Sequence, residues 1–237
     1  MSIHAEPHRA GHELDAVVSR AGAIRCDHDG RPVALHYGSA AGELAACVSR
    51  VGLGDRSELG KLALEGPRQT LGQVISHLTG MALAPGGALC TGTAWWCAPA
   101  PERVLVLTEP GDGDRLQSRI RRLGARHPDL RIRDVSQAWS AIAIVGRQAG
   151  DVLARLGVYG ATGDPRSVVP ASSLRVADAE VTWLLQSDHR ALALMGHRDA
   201  PAVWHALHAV GRPFGICAVG QQAIARYTLL ARPRSAF

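Results

Sequence analysis

The sequence predicts an α+β protein: duplicated strand–helix units forming mainly antiparallel sheets, with helices on the outer faces and a central cleft between two related halves. Three observations carry this reading. Alternation of apolar and polar residues gives way to helical spacing in four separate stretches. Two of those stretches share a pattern at a constant offset, Leu62, Leu64 and Gly66 against Ile142, Ile144 and Gly146. Their strands are short and alternating, which fits sheets with one covered face.

Residues 1–34 read as an N-terminal arm, and 35–237 as one domain whose halves run from about 50 to 130 and from 131 to 232. The arm is polar, His-rich and weakly patterned, either mobile or a peripheral helix. Its CDHDG holds Cys26 and His28, but no second ligand pair stands at metal spacing, so a turn ending at Gly30 is the better reading. The first unit, KLALEGPRQTLGQVISHLTG, alternates, turns at Gly66-Pro67 and becomes helical. SAIAIVGRQAGDVLARLG does the same around Gly146. An Asp-x-Ser precedes each: Asp55-Arg56-Ser57 and Asp134-Val135-Ser136. In RVLVLTEPGDGDRLQSRIRRLG a buried-type strand ends at a Pro-Gly turn, and Asp114 is the candidate N-cap. ALALMGHRDAPAVWHALHAVG repeats the plan, with Asp199 as N-cap and Pro201 just inside the helix.

Composition narrows the function classes. Hydrophobic residues make up 46% of the 237, which excludes disorder over most of the length. No run reaches the roughly 18 apolar residues of a membrane span, and the N-terminus lacks a secretory apolar segment, so a cytoplasmic protein is expected. Five scattered cysteines without a CxxC pair argue for reduced thiols and against structural zinc. Lys61 is the only lysine, so nearly all the positive charge is arginine, the side chain suited to planar anion contacts. The densest run spans Arg115 to Arg133. It lacks interleaved aromatics for stacking and reads as a solvated helix face rather than a nucleic-acid patch.

GGALCTGTAWWC, residues 86–97, carries two cysteines and two tryptophans. As one strand, its odd spacing places Cys90 and Cys97 on opposite faces, about 23 Å apart at ~3.3 Å per residue, too far to share a metal. Trp95 and Trp96 likewise diverge, one to the core and one to the cleft. No histidine lies nearby to activate Cys90, so a small buried hydrophobe is its plainest role.

Three segments in order resemble one family. YGSAAGELAACVSRVGLGDRSELGKLALEGP, residues 37–67, resembles the opening of the glycine-cleavage T-protein, a tetrahydrofolate-dependent aminomethyltransferase. RDVSQAWSAIAIVGRQAGDVLARL, residues 133–156, resembles that family's second strand-turn. FGICAVGQQAIARYTLLAR, residues 214–232, resembles the segment closing the folate domain of sarcosine and dimethylglycine dehydrogenases. The resemblance covers about 35–232 and implies a T-protein-like fold with a central folate-type cleft, without the family's C-terminal barrel. In length the chain is closer to the gamma subunit of heterotetrameric sarcosine oxidase and to folate-binding proteins that support iron–sulfur enzymes. Cys217-Ala218-Val219-Gly220-Gln221-Gln222 partly meets the Cys-x-x-Gly-Gln-Glu signature of the latter.

The resemblance also implies a site. Cys90 and Thr91 stand where the aminomethyltransferases have Asp-Asp, and losing such a preorganised charge typically costs on the order of 10²–10³ in rate. Thr228 and Leu230 stand in place of an arginine and a glutamate, with Arg226 two positions away and, on a strand, on the same face. Asp188 lies near the family's pterin-clamping glutamate, where a carboxylate accepts two N–H bonds, and it reads equally as a turn residue. The expected catalytic positions are therefore Cys90 and Thr91, and the expected folate-binding ones Asp188, Trp95, Trp96, Glu109 and Arg226, with no metal. The function implied is a tetrahydrofolate-binding protein, in one-carbon transfer of altered specificity. The alternatives are a non-catalytic subunit of the sarcosine oxidase gamma type and an iron–sulfur maintenance factor. Expected partners are a small-molecule folate, and a protein partner or homo-oligomer, with no membrane.

Overall fold

Each Asp-x-Ser closes into a turn because the aspartate accepts from the serine two residues on. Ser57 N–H donates to Asp55 Oδ1 and Ser136 N–H to Asp134 Oδ1, both at 2.9 Å. These turns are where the halves interlock. The computed structural model describes residues 13–28, 31–91, 94–111, 113–159, 172–187 and 189–231.

The first half runs β3 (Gly52–Asp55), β4 (Gly60–Glu65), α3 (Arg68–Thr79), β5 (Ala88–Thr91), β6 (Ala94–Ala100), β7 (Arg103–Thr108) and α4 (Gly113–Gly124). The second repeats it: β8 (Arg131–Asp134), β9 (Trp139–Val145), α5 (Ala149–Arg155), β10 (Ser172–Val176), β11 (Ala179–Ser187), β12 (Arg190–Gly196) and α6 (Ala200–Gly211). Ahead of them lie α1 (Glu13–Arg20), the hairpin β1 (Ile24–His28) and β2 (Arg31–His36), and α2 (Ala40–Ser49). The two-residue β13 (Cys217–Ala218) and α7 (Gln221–Leu230) follow.

The halves exchange their first strands. β3 pairs with β9 and β8 with β4, giving a sheet ordered β5-β6-β7-β4-β8 and another ordered β10-β11-β12-β9-β3-β13. All pairings are antiparallel except β13 with β3. The reason is the period of two. Ala63, Leu105 and Leu107 from the first sheet meet Ala141, Ala143, Leu192 and Leu194 from the second in a core between the sheets. The alternate residues, Leu62, Leu64 and Val106, pack outward under α3 and α4, while Ile142, Ile144 and Ala193 pack under α5, α6 and α1. Four layers result, helix–sheet–sheet–helix. No described strands close into a barrel.

The register exposes a correspondence that periodicity missed. Trp96 opposes Val106, which opposes Leu62; Trp183 opposes Ala193, which opposes Ile142. The two tryptophans are thus equivalent positions of the duplication, both essentially fully buried on outer faces.

Within the stretch expected as an N-terminal arm, Leu14 and Val18 of α1 are wholly buried against α6. Glu43 of α2 ties this region to the chain's end. Its carboxylate accepts from Tyr37 N–H at 2.6 Å and from Gly220 N–H at 2.8 Å, at the start of α7. A side chain at Gly220 has no room, since its Cβ would sit 2.1 Å from the Leu35 carbonyl oxygen.

Candidate functional site

The segment expected to be one strand is a hairpin, and this corrects the cysteine geometry. Cys90 opposes Trp95 and Ala88 opposes Cys97 across β5 and β6. Cross-strand partners share a face, so Cys90 and Cys97 lie on the same side of the sheet, not on opposite ones. No metal-binding cluster exists among the described residues. Cys97 is buried between the sheets, which pushes its thiol up to about 12. Cys90 is exposed on the edge strand.

Thr91 and Trp96 leave the expected site. Thr91 opposes Ala94 and shares the outer face with Leu89 and Trp96. Its hydroxyl accepts the Trp96 indole N–H at 2.9 Å, a role in the core under α3 and α4. Trp95 alone of the pair turns inward, half-buried against the core between the sheets. Arg226 is corrected too: residues 221–230 are helix α7, not a strand, and Arg226 is exposed there. Two residues rotate a helix by more than half a turn, so the offset that keeps a strand face loses a helical one. Asp188 lies outside the described residues.

At the seam of the two sheets is a small cavity of about 10 Å³, room for one water. Trp95, Leu107, Thr108 and Glu109 wall it from the first half, and Gln186, Arg190 and Leu192 from the second. Arg56 closes its floor. This guanidinium is 1% exposed and joins Glu58 Oε1 at 2.5 Å and Glu109 Oε2 at 2.6 Å. Burial opposes its charge, but the two carboxylates outweigh that and hold it more basic than usual. Of the expected folate-binding residues, the structure therefore brings Trp95 and Glu109 together.

Nearby, Lys61 is buried with its ammonium donating to the Ser57 and Leu59 carbonyls, both at 2.9 Å. Burial drives it down to about 8. Asp55 is pushed up by burial, whereas its counterpart Asp134, half-exposed and bonded by Ser136, is held low despite some desolvation.

Both amide atoms of Gln186 and the Thr108 hydroxyl, at the cavity, are shielded from solvent and find no partner among the described residues. Each such atom costs about 1–3 kcal/mol unless something supplies its bond, and native proteins seldom leave several together. Thr108 is also crowded: a Cβ at Gly60 or Gly113 would meet its Oγ1 at 2.5 or 2.9 Å. A second cavity of about 80 Å³, lined by Arg31, Pro110, Asp114 and Gln117, shares Thr108 and Glu109 with the first.

Sequence reasoning missed Arg56, Thr108, Gln186 and Arg190. The sole signal was the Asp-x-Ser motif around Arg56. Arg190 on β12 reaches the last segment: its Nη1 donates to the hydroxyl of Thr228, the residue that stands where the resemblance expected an arginine, at 2.8 Å. Cys217 is half-buried, and burial with the nearby Glu43 raises its thiol, the opposite of what a reactive thiolate needs.

No family model and no curated protein matches the sequence. Solved structures do. Glycine cleavage system aminomethyltransferase T from Bartonella henselae superposes with a TM-score of 0.69 at 18% identity, over 92% of this chain and 61% of that one. A chain of the heterotetrameric sarcosine oxidase from Corynebacterium sp. U-96, solved with pyrrole 2-carboxylate, gives 0.58 at 19% identity, over 75% of this chain and 93% of that one. This chain thus spans less than two thirds of the aminomethyltransferase it matches. No described helix is long and apolar enough to cross a membrane. With its interlocked halves and facing sheets, the chain shares its fold with the aminomethyltransferase and with the sarcosine oxidase chain.

Proposed function

We propose that the chain binds a reduced folate, tetrahydrofolate or a derivative, at the seam between the sheets. The observation that carries this reading is the unpartnered Gln186 amide and Thr108 hydroxyl beside the Trp95 indole. A pterin ring presents an –NH–C(=O)– edge, and a carboxamide complements it with one acceptor and one donor. An indole suits the face of a flat heterocycle. At about 10 Å³ the seam void has room for one water, far below the ~300 Å³ floor of drug-sized pockets, so a pterin ring enters only when Trp95 or Gln186 swings aside. The adjoining cavity beyond Thr108 and Glu109, about 80 Å³, is where the remainder would lie.

Bound tetrahydrofolate would supply the nitrogen that carries a one-carbon unit. The chain's own contribution differs from that of the aminomethyltransferases. Cys90 shares the inward face with Trp95, and its uncharged thiol lacks the anionic stabilisation of an aspartate. Glu109 is the carboxylate at this seam, and it is engaged by Arg56. One-carbon transfer of altered specificity is the activity consistent with these residues. Calorimetric titration with tetrahydrofolate tests the reading: wild type binds at micromolar Kd or better, and Gln186→Leu binds about tenfold or more weakly. Absence of binding by wild type removes the proposal.

A second reading, a subunit of an oligomeric amine oxidase, is favoured by the match to 93% of a sarcosine oxidase chain. Val48 on α2, with Leu229 and Leu230 on α7, leaves apolar surface exposed on two helices that pack together. Co-purification of flavin-dependent oxidase subunits with the tagged chain supports this reading, and a monomer without partners in its native cell opposes it.

A further inference from the structure

A larger cavity lies away from the seam, on the far side of the six-stranded sheet. Its volume is about 360 Å³ and it is framed by α1, α6 and β13. Val17, Trp204 and Ala218 give it an apolar wall. Every ionisable side chain lining it is basic: Arg20 from α1, and His205, His208 and Arg212 from α6 and its end. No acidic side chain lines it among the described residues. Arg20 donates its Nε to the Ala16 carbonyl of its own helix; of the two acids of that helix, Glu13 and Asp15, Asp15 is engaged by Arg25 and neither lines the cavity.

The electrostatics agree with the geometry. Burial lowers His208, and the charges of Arg212 and His205 lower it further. Burial disfavours a charge of either sign, whereas the positive potential of Arg212 and His205 favours an anion. Ligand cavities are concave, mostly apolar, and carry a few convergent polar groups that fix orientation. Here the apolar wall includes an indole, and the convergent groups are guanidinium and imidazole donors, which bond carboxylates strongly.

We propose that this cavity binds an amphipathic monocarboxylate, its apolar body against Trp204 and Val17 and its carboxylate between Arg20 and Arg212. The site shares no residue with the seam cavity, so it stands or falls independently of folate binding.

Three probes with one apolar body and different heads test it by calorimetry on the full chain: 1-naphthaleneacetate, 1-naphthaleneethanol and 1-naphthylmethylamine. The acid is expected to bind about tenfold or more tightly than the alcohol, the difference between a charge-assisted and a neutral hydrogen bond, and the amine not at all. An Arg20→Gln/Arg212→Gln double variant locates the site. Both side chains are exposed, so the melting temperature is expected to hold while the preference for acid over alcohol disappears. Equal binding of acid and alcohol, no binding of the acid, or an undiminished preference in the double variant would each overturn the proposal. The last outcome would place the anion elsewhere, such as the groove of Arg119 and Arg122 on α4 and Arg126 just beyond it.

Discussion

Ser57 and Ser136 hold each other's half of the molecule. The Ser57 hydroxyl accepts from Ala141 N–H on β9 at 3.3 Å, and the Ser136 hydroxyl accepts from Lys61 N–H on β4 at 2.8 Å. The neighbouring backbone repeats the exchange: Arg56 N–H donates to the Ala141 carbonyl, and Val135 N–H to the Lys61 carbonyl. Lys61 and Ala141 are themselves equivalent positions. Both serines are buried, so removing a hydroxyl strands a buried N–H. Ser136→Ala is expected to cost about 1–2 kcal/mol and Ser57→Ala less, because its bond is longer. Urea denaturation of the two variants checks the order.

Glu43 joins α2, the chain after β2, and the start of α7. It satisfies two backbone N–H groups and places a negative charge at a helix N-terminus. Glu43→Ala leaves both donors stranded and is expected to cost about 3 kcal/mol. Hydrogen exchange at Gly220 and along α7 should rise before that of the central strands.

Lys61 makes stability depend on pH. Below pH 8 both folded and unfolded chains hold the proton, and the full cost of a buried ammonium is present. As pH rises from 8 toward the ordinary lysine value of about 10.4, the folded protein releases its proton first, so this contribution raises stability. The buried thiols of Cys47 and Cys97, pushed up to about 12, act in the opposite sense there, because the unfolded chain ionises first. The comparison with Lys61→Met isolates the lysine. The variant's stability relative to wild type is expected to fall by up to about 3 kcal/mol across that window. Parallel pH profiles would refute a depressed Lys61.

Thr91 separates a structural role from a catalytic one. Thr91→Val removes the acceptor of the buried Trp96 N–H and is expected to cost about 1–2 kcal/mol, with tetrahydrofolate affinity unchanged. The second half already shows this state. Leu174 occupies the equivalent position, and Trp183 Nε1 has no partner.

The β10–β11 turn is strained. Ala177 and Asp178 both have positive φ, 50° and 65°, the combination of a type I′ hairpin. Ala177→Asn with Asp178→Gly is expected to raise stability by about 1 kcal/mol, read as a higher melting temperature.

Tetrahydrofolate binding and the cavity beneath α6 are tested by the titrations described with them. What the sequence determined by itself was local and periodic. Alternation marked β4 and β9, helical spacing marked α3 and α6, and a constant offset marked the duplication, because the side-chain periods of two and 3.6 are set by the backbone alone. The Asp-x-Ser turns were visible for the same reason. Tertiary structure decided everything that depended on where a chain reverses or which partner it meets. Antiparallel pairing of β5 with β6 turned one apparent strand into two and put Cys90 and Cys97 on one face. Packing of Ala223, Ile224 and Tyr227 against the inter-sheet core made α7 a helix and turned Arg226 outward. The seam residues Thr108, Gln186 and Arg190 sit on three different strands and Arg56 in the turn between β3 and β4. Their convergence follows from strand exchange between halves, a long-range pairing that no local pattern encodes.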